Sequence, residues 1–174
     1  MIFGLTLAYL AAAAASLWAA PGFDGVMGAL LAGIMLAIAR SDWRSYRVPD
    51  RLNALALALR GVDIALSPTP RPDVLDSLFG ALIASGAFYL FRAAYGWLRG
   101  QEGLGLGDVK LAGVAGAWID LRLLAFVIEF AALAGLTLAL IRRRGPLKGN
   151  TRVPFAVGFA PAIWLGWWLE RLSG

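Results

Sequence analysis

The chain has 174 residues, of which 60% are hydrophobic and 16% are charged, and its mean hydropathy is +0.71. A soluble domain is usually nearer a quarter charged, so this composition indicates a membrane protein. His and Cys are both absent, which excludes disulfide bonds, thiol nucleophiles, Ser-His triads and zinc sites built from Cys or His. Acid–base chemistry near neutral pH must therefore come from carboxylates, Lys or Tyr.

The net charge of +5 has a simple explanation in a membrane protein, because basic residues collect in cytoplasmic loops. We prefer this explanation to a nucleic-acid surface, which would require a basic segment interleaved with exposed aromatic residues. We therefore expect membrane lipids around the chain and no nucleic-acid partner.

The apolar segments predict an all-α helix bundle with six or seven transmembrane helices in a single domain, residues 1–174. In chain order the six longer segments are Ile2–Ala20, Phe23–Ala39, Ala54–Leu66, Leu75–Tyr95, Leu123–Ile141 and Phe155–Leu169. The segment Val109–Ile119 is short for a full crossing, which takes about 20 residues, and suits a short helix buried among the others. The first segment resembles a signal peptide but has no basic residue before it, so we expect it to be retained.

The basic residues predict the orientation of these spans. With seven spans and a cytoplasmic N-terminus, three basic clusters lie on the cytoplasmic side. They are Arg40, Arg44, Arg47 and Arg51; Arg92, Arg99 and Lys110; and Arg142, Arg143, Arg144, Lys148 and Arg152. The other side holds Arg60, Arg71, Arg122 and Arg171.

Most of the acidic residues have ordinary interpretations. We expect water to solvate Asp24, Asp73, Asp76, Asp120 and Glu170 in outer loops or at helix ends. Asp63 follows Arg60 by three residues, a spacing that forms a weak pair on one helix face. Glu129 lies inside an apolar segment, so it should face protein and have a partner, in either a structural or a functional role.

Asp42 and Asp108 lie in unusual local sequence, each at the predicted cytoplasmic end of a span. Asp42 precedes a connector in which Pro49 disfavours helix at the residue before it and favours a helix start, so we expect a compact turn after Asp42. Asp108 follows Gly103, Gly105 and Gly107. These glycines permit positive φ and close backbone approach, and we expect the segment Gly100–Gly107 to be flexible enough to admit a substrate.

Two carboxyl groups on one face of the membrane suggest an aspartyl dyad. When two carboxyl groups approach closely, one is held protonated, and such a pair can activate water and polarise a carbonyl. This chemistry needs no cofactor or metal. The alternative is that Asp42 and Asp108 form ordinary interfacial ion pairs with Arg44 and Lys110.

These two stretches resemble the signatures of the type IV prepilin peptidase family, which is related to the archaeal preflagellin peptidases. Asp42, Pro49, Leu52 and Asn53 match its Asp-(six residues)-Pro-x-x-Leu-Asn segment, and Gly105, Gly107, Asp108 and Lys110 match its Gly-x-Gly-Asp-x-Lys motif. Three further matches are Glu102-Gly103, Gly116-Ala117-Trp118 and Pro154-Phe155. The resemblance covers about Asp42 to Pro161.

The resemblance implies an aspartyl endopeptidase of the cytoplasmic (inner) membrane, with Asp42 and Asp108 as catalytic residues. Its substrates would be prepilin or pseudopilin precursors, cleaved between a basic leader and an apolar helix at the cytoplasmic face. Gly105, Gly107, Lys110, Pro49 and Asn53 would support the site or bind substrate, although Lys110 equally suits interfacial anchoring.

Two departures from the family pattern matter. Larger members have a four-cysteine metal site associated with N-methylation, and this sequence has no Cys, so we expect a peptidase-only form. The segment Val153–Pro161 is looser than the Pro-Phe-Gly-Pro of longer relatives.

Two other functions were considered. A small transporter or channel could use Asp42, Asp108 and Glu129 as proton or cation groups, and would distribute them across the membrane. A non-catalytic scaffold of a secretion machine would need none of them.

Overall fold

The fold is all-helical over the residues that the computed structural model describes, 2–68, 70–100, 103–141 and 154–173. Its helices are α1 (Ile2–Ala19), α2 (Phe23–Ser45), α3 (Asp50–Leu66), α4 (Val74–Arg99), α5 (Leu106–Trp118), α6 (Leu121–Ile141) and α7 (Ala156–Ser173). The predicted all-α class is thus confirmed, and each apolar segment forms one helix. Glu102 and the basic cluster from Arg142 to Arg152 lie outside the described residues.

Consecutive helices run in opposite directions, so the bundle has two ends. The last turns of α2 meet the start of α7 through Asp42 and Val157, and the start of α2 meets the end of α7 through Asp24 and Arg171. We call the two ends the Asp42 end and the Arg60 end. The Asp42 end holds the starts of α3, α5 and α7.

The short helix α5 lies in the middle of the bundle, as its sequence predicted. Every residue from Leu111 to Trp118 is buried, and α5 packs most extensively on α4. Gly80 of α4 and Gly116 of α5 permit the close approach, because a Cβ at either glycine would lie 2.1 Å from the carbonyl oxygen of the other. The Trp118 indole N–H donates to the Ala56 carbonyl at 3.0 Å, which ties α5 to α3.

The Arg60 end contains a buried polar cluster that the sequence did not predict. Arg60 and Asp63 form the expected ion pair, but they are only 2% and 1% exposed. Arg60 also donates to the Ser77 hydroxyl of α4 at 2.8 Å and to the Pro72 carbonyl. The ion pair that the spacing predicted is therefore present but buried, because the Pro72 carbonyl, Ser77 of α4 and the Trp118 ring of α5 cover the Arg60 guanidinium group.

Glu170 also departs from its predicted solvated setting. It is partly buried and accepts a hydrogen bond at 2.5 Å from the backbone N–H of Asp120. This contact joins the end of α7 to the turn between α5 and α6 at the Arg60 end.

The outer surface of the bundle is strongly apolar. Along α4, for example, Leu82, Leu90 and Phe91 are mostly exposed. Contiguous exposed apolar side chains mark surfaces that contact lipid or another protein. Within the described residues, α2 and α4 are the helices long and apolar enough to cross a membrane. The six or seven crossings expected from the sequence stay a prediction.

Glu129 does not face protein, contrary to expectation. It is exposed on α6, and no described residue pairs with it. The reason is its register: α6 packs inward through Val127 and Ala131, and a residue two positions from each lies on the opposite side of a helix.

Candidate active site

Asp42 lies inside α2 rather than beyond it. The helix continues to Ser45 and is closed by Tyr46, whose φ of 52° is left-handed and whose N–H donates to the Asp42 carbonyl at 2.9 Å. The predicted turn after Asp42 therefore begins at Tyr46. Helical geometry continues because the residues from Arg40 to Ser45 contain no Gly or Pro to interrupt it.

Asp42 is 5% exposed, and its carboxyl group faces the first turn of α7. The backbone N–H of Val157 donates to Asp42 Oδ2 at 3.2 Å. The first N–H groups of a helix have no partner within the helix and carry a partial positive charge. The start of α7 thus provides a donor and a favourable potential for a carboxylate at Asp42.

Asp108 lies in the first turn of α5, which begins at Leu106. The pKa of Asp108 is raised to about 6, chiefly because the carboxyl group is buried and also because the negative charge of Asp42 is nearby. A hydrogen bond from the Gly105 backbone opposes the rise. The fold therefore brings the two aspartates, 66 positions apart in sequence, close enough to interact electrostatically.

The glycines before Asp108 leave room for the site. A Cβ at Gly105 would lie 3.1 Å from Asp108 Oδ2, and one at Gly107 would lie 2.8 Å from the Val48 Cβ. The glycine motif therefore lets the start of α5 pack on the connector between α2 and α3. Larger residues would push α5 or the Asp108 carboxyl group out of place.

Asn53 and Pro49 hold the same junction from the α3 side. Pro49 is the N-cap residue of α3, and Asn53 is 3% exposed, with its Nδ2 donating to the Gly107 carbonyl at 3.4 Å. Among the described residues, neither Asn53 nor Pro49 forms a hydrogen bond with Asp42 or Asp108. The Asn53 hydrogen bond joins α3 to the backbone directly before Asp108.

Lys110 forms an exposed ion pair with Asp50, at 2.7 Å between Nζ and Oδ1. Asp42 accepts from α7 instead of Arg44, so the interfacial pairs Asp42–Arg44 and Asp108–Lys110 that the sequence left open are absent among the described residues. Lys110 joins the N-terminal part of α5 to the first residue of α3, Asp50. An exposed pair of this kind contributes little to stability, about 0–1 kcal/mol.

The site as a whole is a pair of interacting carboxyl groups at one end of a helix bundle. Asp42 is buried and faces the N-terminus of α7, and Asp108 is partly buried and has a raised pKa. Such a pair can hold one proton between two groups, leaving one carboxylate to act as a base and one carboxylic acid to act as a donor. Within the described part of the chain no cluster of three or more acidic side chains suits a metal ion.

Comparison with known proteins agrees with this arrangement. Residues 29–140 match the type IV leader peptidase family, a segment that includes both aspartates. The chain belongs to this family. No solved structure matches the chain.

Three relatives illustrate the membership of the type IV leader peptidase family. The chain is 36% identical over 153 residues to the prepilin leader peptidase/N-methyltransferase of Pectobacterium carotovorum, which covers 87% of the chain and 52% of the relative. It is 34% identical to the corresponding protein of Burkholderia pseudomallei strain 1026b, over 82% of the chain and 48% of the relative. It is 34% identical to leader peptidase HopD of Escherichia coli, over 73% of the chain and 82% of the relative.

The chain therefore spans about half the length of the two relatives whose names include N-methyltransferase. The family resemblance predicted from the two aspartate segments is confirmed. Transport through Asp42, Asp108 and Glu129 gains no support, because Glu129 lies on the outer face of α6 while the other two interact at the Asp42 end.

Two features of the aspartate site were missed in the sequence. One is the backbone of α7, which donates to Asp42 from 115 positions away. The Pro154-Phe155 pair was noted as a family element, and it directly precedes this helix. The other is Arg92 of α4, whose guanidinium donates to the Leu104 carbonyl and so holds the segment that leads into the glycine motif.

Proposed function

We propose that this chain is an aspartyl endopeptidase that removes the basic leader of type IV prepilin or pseudopilin precursors at the cytoplasmic membrane face. The single observation that carries the proposal is the placement of both aspartates at the Asp42 end, Asp42 against the start of α7 and Asp108 in the first turn of α5. Membership of the type IV leader peptidase family supports the substrate class. The basic residues Arg40, Arg44, Arg99 and Lys110 support a cytoplasmic location for this end.

In the proposed reaction the two aspartates share one proton. The ionised carboxylate takes a proton from a water molecule while the water oxygen attacks the carbonyl carbon of the scissile peptide. The protonated carboxyl group donates to the carbonyl oxygen as negative charge develops there. When the tetrahedral intermediate breaks down, a carboxyl group gives its proton to the leaving nitrogen, and the C–N bond breaks.

The fold supports this reaction by its placement of groups. The start of α7 donates a hydrogen bond to Asp42, and burial together with the nearby charge of Asp42 favours the protonated form of Asp108. Two neighbouring carboxyl groups, one buried and one partly buried, suit a pair that shares one proton. A helical substrate in the bilayer would present its leader at the membrane interface, where this end lies in the proposed orientation.

The proposal covers peptide cleavage alone. The absence of Cys favours a peptidase without the methylating activity named for the longer relatives. Mass spectrometry of the processed pilin should find an unmodified N-terminus, and a methylated product formed by this chain alone would contradict that part of the proposal.

The aspartates are tested by substitution in purified protein supplied with a prepilin in detergent. Asp42→Asn and Asp108→Asn should each reduce leader cleavage at least about a thousandfold, because neither variant can form the proton-sharing pair. Cleavage is followed by the shift of the pilin band on a gel.

Asp76→Asn is the matched control, since Asp76 is an exposed carboxyl group at the start of α4, near the Arg60 end. It should cleave at the wild-type rate. Wild-type cleavage by either site variant would refute the aspartyl mechanism.

A further inference from the structure

A groove between α1 and α2 lies outside the aspartate site. It has a volume of about 550 Å³ and opens along the outer surface at the Asp42 end. Leu5 and Tyr9 of α1 and Leu36 and Ala37 of α2 form its apolar walls. Toward the middle of the helices the Tyr9 ring approaches α2 at Gly33, where a Cβ would lie 3.2 Å from the ring.

Two arginines line the outer part of this groove. Arg40 and Arg44 are one helical turn apart on α2, and the Ser41 hydroxyl lies beside them. The ion pairs between described residues are Arg60–Asp63, Lys110–Asp50 and Arg171–Asp24. Neither groove arginine therefore has an acidic partner in the described part of the chain. The groove is apolar at depth and cationic at its mouth.

The groove faces away from the proposed catalytic pair. Successive residues of a helix are 100° apart, so Asp42 lies about 200° around α2 from Arg40. Its carboxyl group accordingly meets α7, whereas Arg40 and Arg44 lie on the side of α1. A ligand in the groove would occupy a site separate from the aspartates.

We propose that this groove binds an anionic phospholipid, with one acyl chain against the apolar walls and the phosphate between Arg40 and Arg44. The two guanidinium groups, which have no acidic partner among the described residues, complement an anion, and the walls of Leu5, Tyr9 and Leu36 complement a hydrocarbon chain. One molecule that supplies both at the interface of a membrane is an anionic phospholipid. The basic leader of a substrate is a poor occupant, because the two arginines repel it.

Native mass spectrometry of the full chain, released from nanodiscs with equal amounts of phosphatidylglycerol and phosphatidylcholine, tests the site. The wild type should retain one phosphatidylglycerol in preference to phosphatidylcholine. In the double variant Arg40→Gln/Arg44→Gln, the ratio of retained phosphatidylglycerol to retained phosphatidylcholine should fall about tenfold. Arg51→Gln removes an exposed charge at the same end but outside the groove, and it should retain the lipid as the wild type does.

Ala37→Trp provides an independent test, because it fills the groove and keeps both arginines. It should also reduce the retention of phosphatidylglycerol. Both Ala37→Trp and the double arginine variant should elute from size-exclusion chromatography as the wild type does, which shows that they are folded. Excess inorganic phosphate should not displace the lipid. Displacement by phosphate would indicate a free-anion site and would overturn the proposal.

Two further outcomes would contradict a lipid site. In one, the double arginine variant retains as much phosphatidylglycerol as the wild type. In the other, Ala37→Trp changes the oligomeric mass of the protein without changing lipid retention, which would indicate that the groove holds a second copy of the chain.

Discussion

At the scale of single residues, the protein shows how position decides the behaviour of a carboxyl group. The Asp76 carboxyl group is exposed to solvent, and Asp63 is buried in an ion pair with Arg60. Asp108 is partly buried and lies near the acidic side chain of Asp42. In a chain without His, these differences in environment are what allow a carboxyl group to hold a proton near neutral pH.

The raised pKa of Asp108 predicts a pH-dependent cost to stability. With an ordinary value of 3.8 in the unfolded chain and about 6 in the fold, the carboxyl group binds its proton more tightly in the folded protein. The cost is absent below pH 3.8, grows as the pH rises toward 6, and is complete above that. Asp108→Asn removes it.

We therefore expect the thermal midpoint of Asp108→Asn to exceed that of the wild type at pH 8, with a difference that shrinks as the pH falls from 6 to 4. Thermal unfolding in detergent across this range measures it, and Asp76→Asn controls for the loss of an exposed carboxyl group. A difference that is constant with pH would show that the charge of Asp108 is not the cause.

At the scale of helices, the contact of α4 with α5 depends on two glycines. The helix α5 carries Asp108 at its start and is buried along its length, so its position determines where that carboxyl group lies. Backbone contact at Gly80 and Gly116 allows α4 and α5 to approach more closely than side chains would permit.

Gly116→Ala should destabilise this contact. Its Cβ would lie 2.1 Å from the Gly80 carbonyl oxygen, so one helix must shift, at a cost of about 1–3 kcal/mol in the free energy of unfolding. A lower thermal midpoint and slower leader cleavage are expected together.

The matched control is Gly86→Ala on α4, where a Cβ would meet no atom within 4 Å. Because Ala favours helix over Gly, this variant should be as stable as the wild type or more stable by up to about 1 kcal/mol. Equal stability of the Gly116 and Gly86 variants would show that the close approach is not needed.

At the scale of the whole molecule, the proposed orientation places the Asp42 end in the cytoplasm. The absence of Cys makes this measurable by single substitutions. Ser45 is exposed at the Asp42 end and Ser173 is exposed at the Arg60 end. A membrane-impermeant maleimide should label Ser173→Cys in intact spheroplasts and should label Ser45→Cys only after the membrane is permeabilised.

Labelling with the reverse pattern would mean that the chain is inverted, and the proposed cytoplasmic cleavage would then be wrong. Labelling of both positions in intact spheroplasts would contradict a membrane-spanning bundle. The chain without either substitution is the control, since it has no thiol to react.

The sequence by itself determined the helical class, the short buried helix and the two aspartate segments, because these depend on local composition. Apolar runs form helices in lipid, small residues permit burial on all sides, and each aspartate motif is contiguous. Helix ends were less well predicted: α2 extends past Asp42 and α5 begins before Asp108.

Only the tertiary structure decided which groups meet. The contact of Asp42 with the start of α7 joins residues 115 positions apart. The buried Arg60 contacts Ser77 of α4 and Trp118 of α5. The outward position of Glu129 depends on which face of α6 packs on α7. A residue's own neighbours in sequence do not specify such contacts, since helix rotation and packing between distant segments set the water exposure and the charge around each side chain.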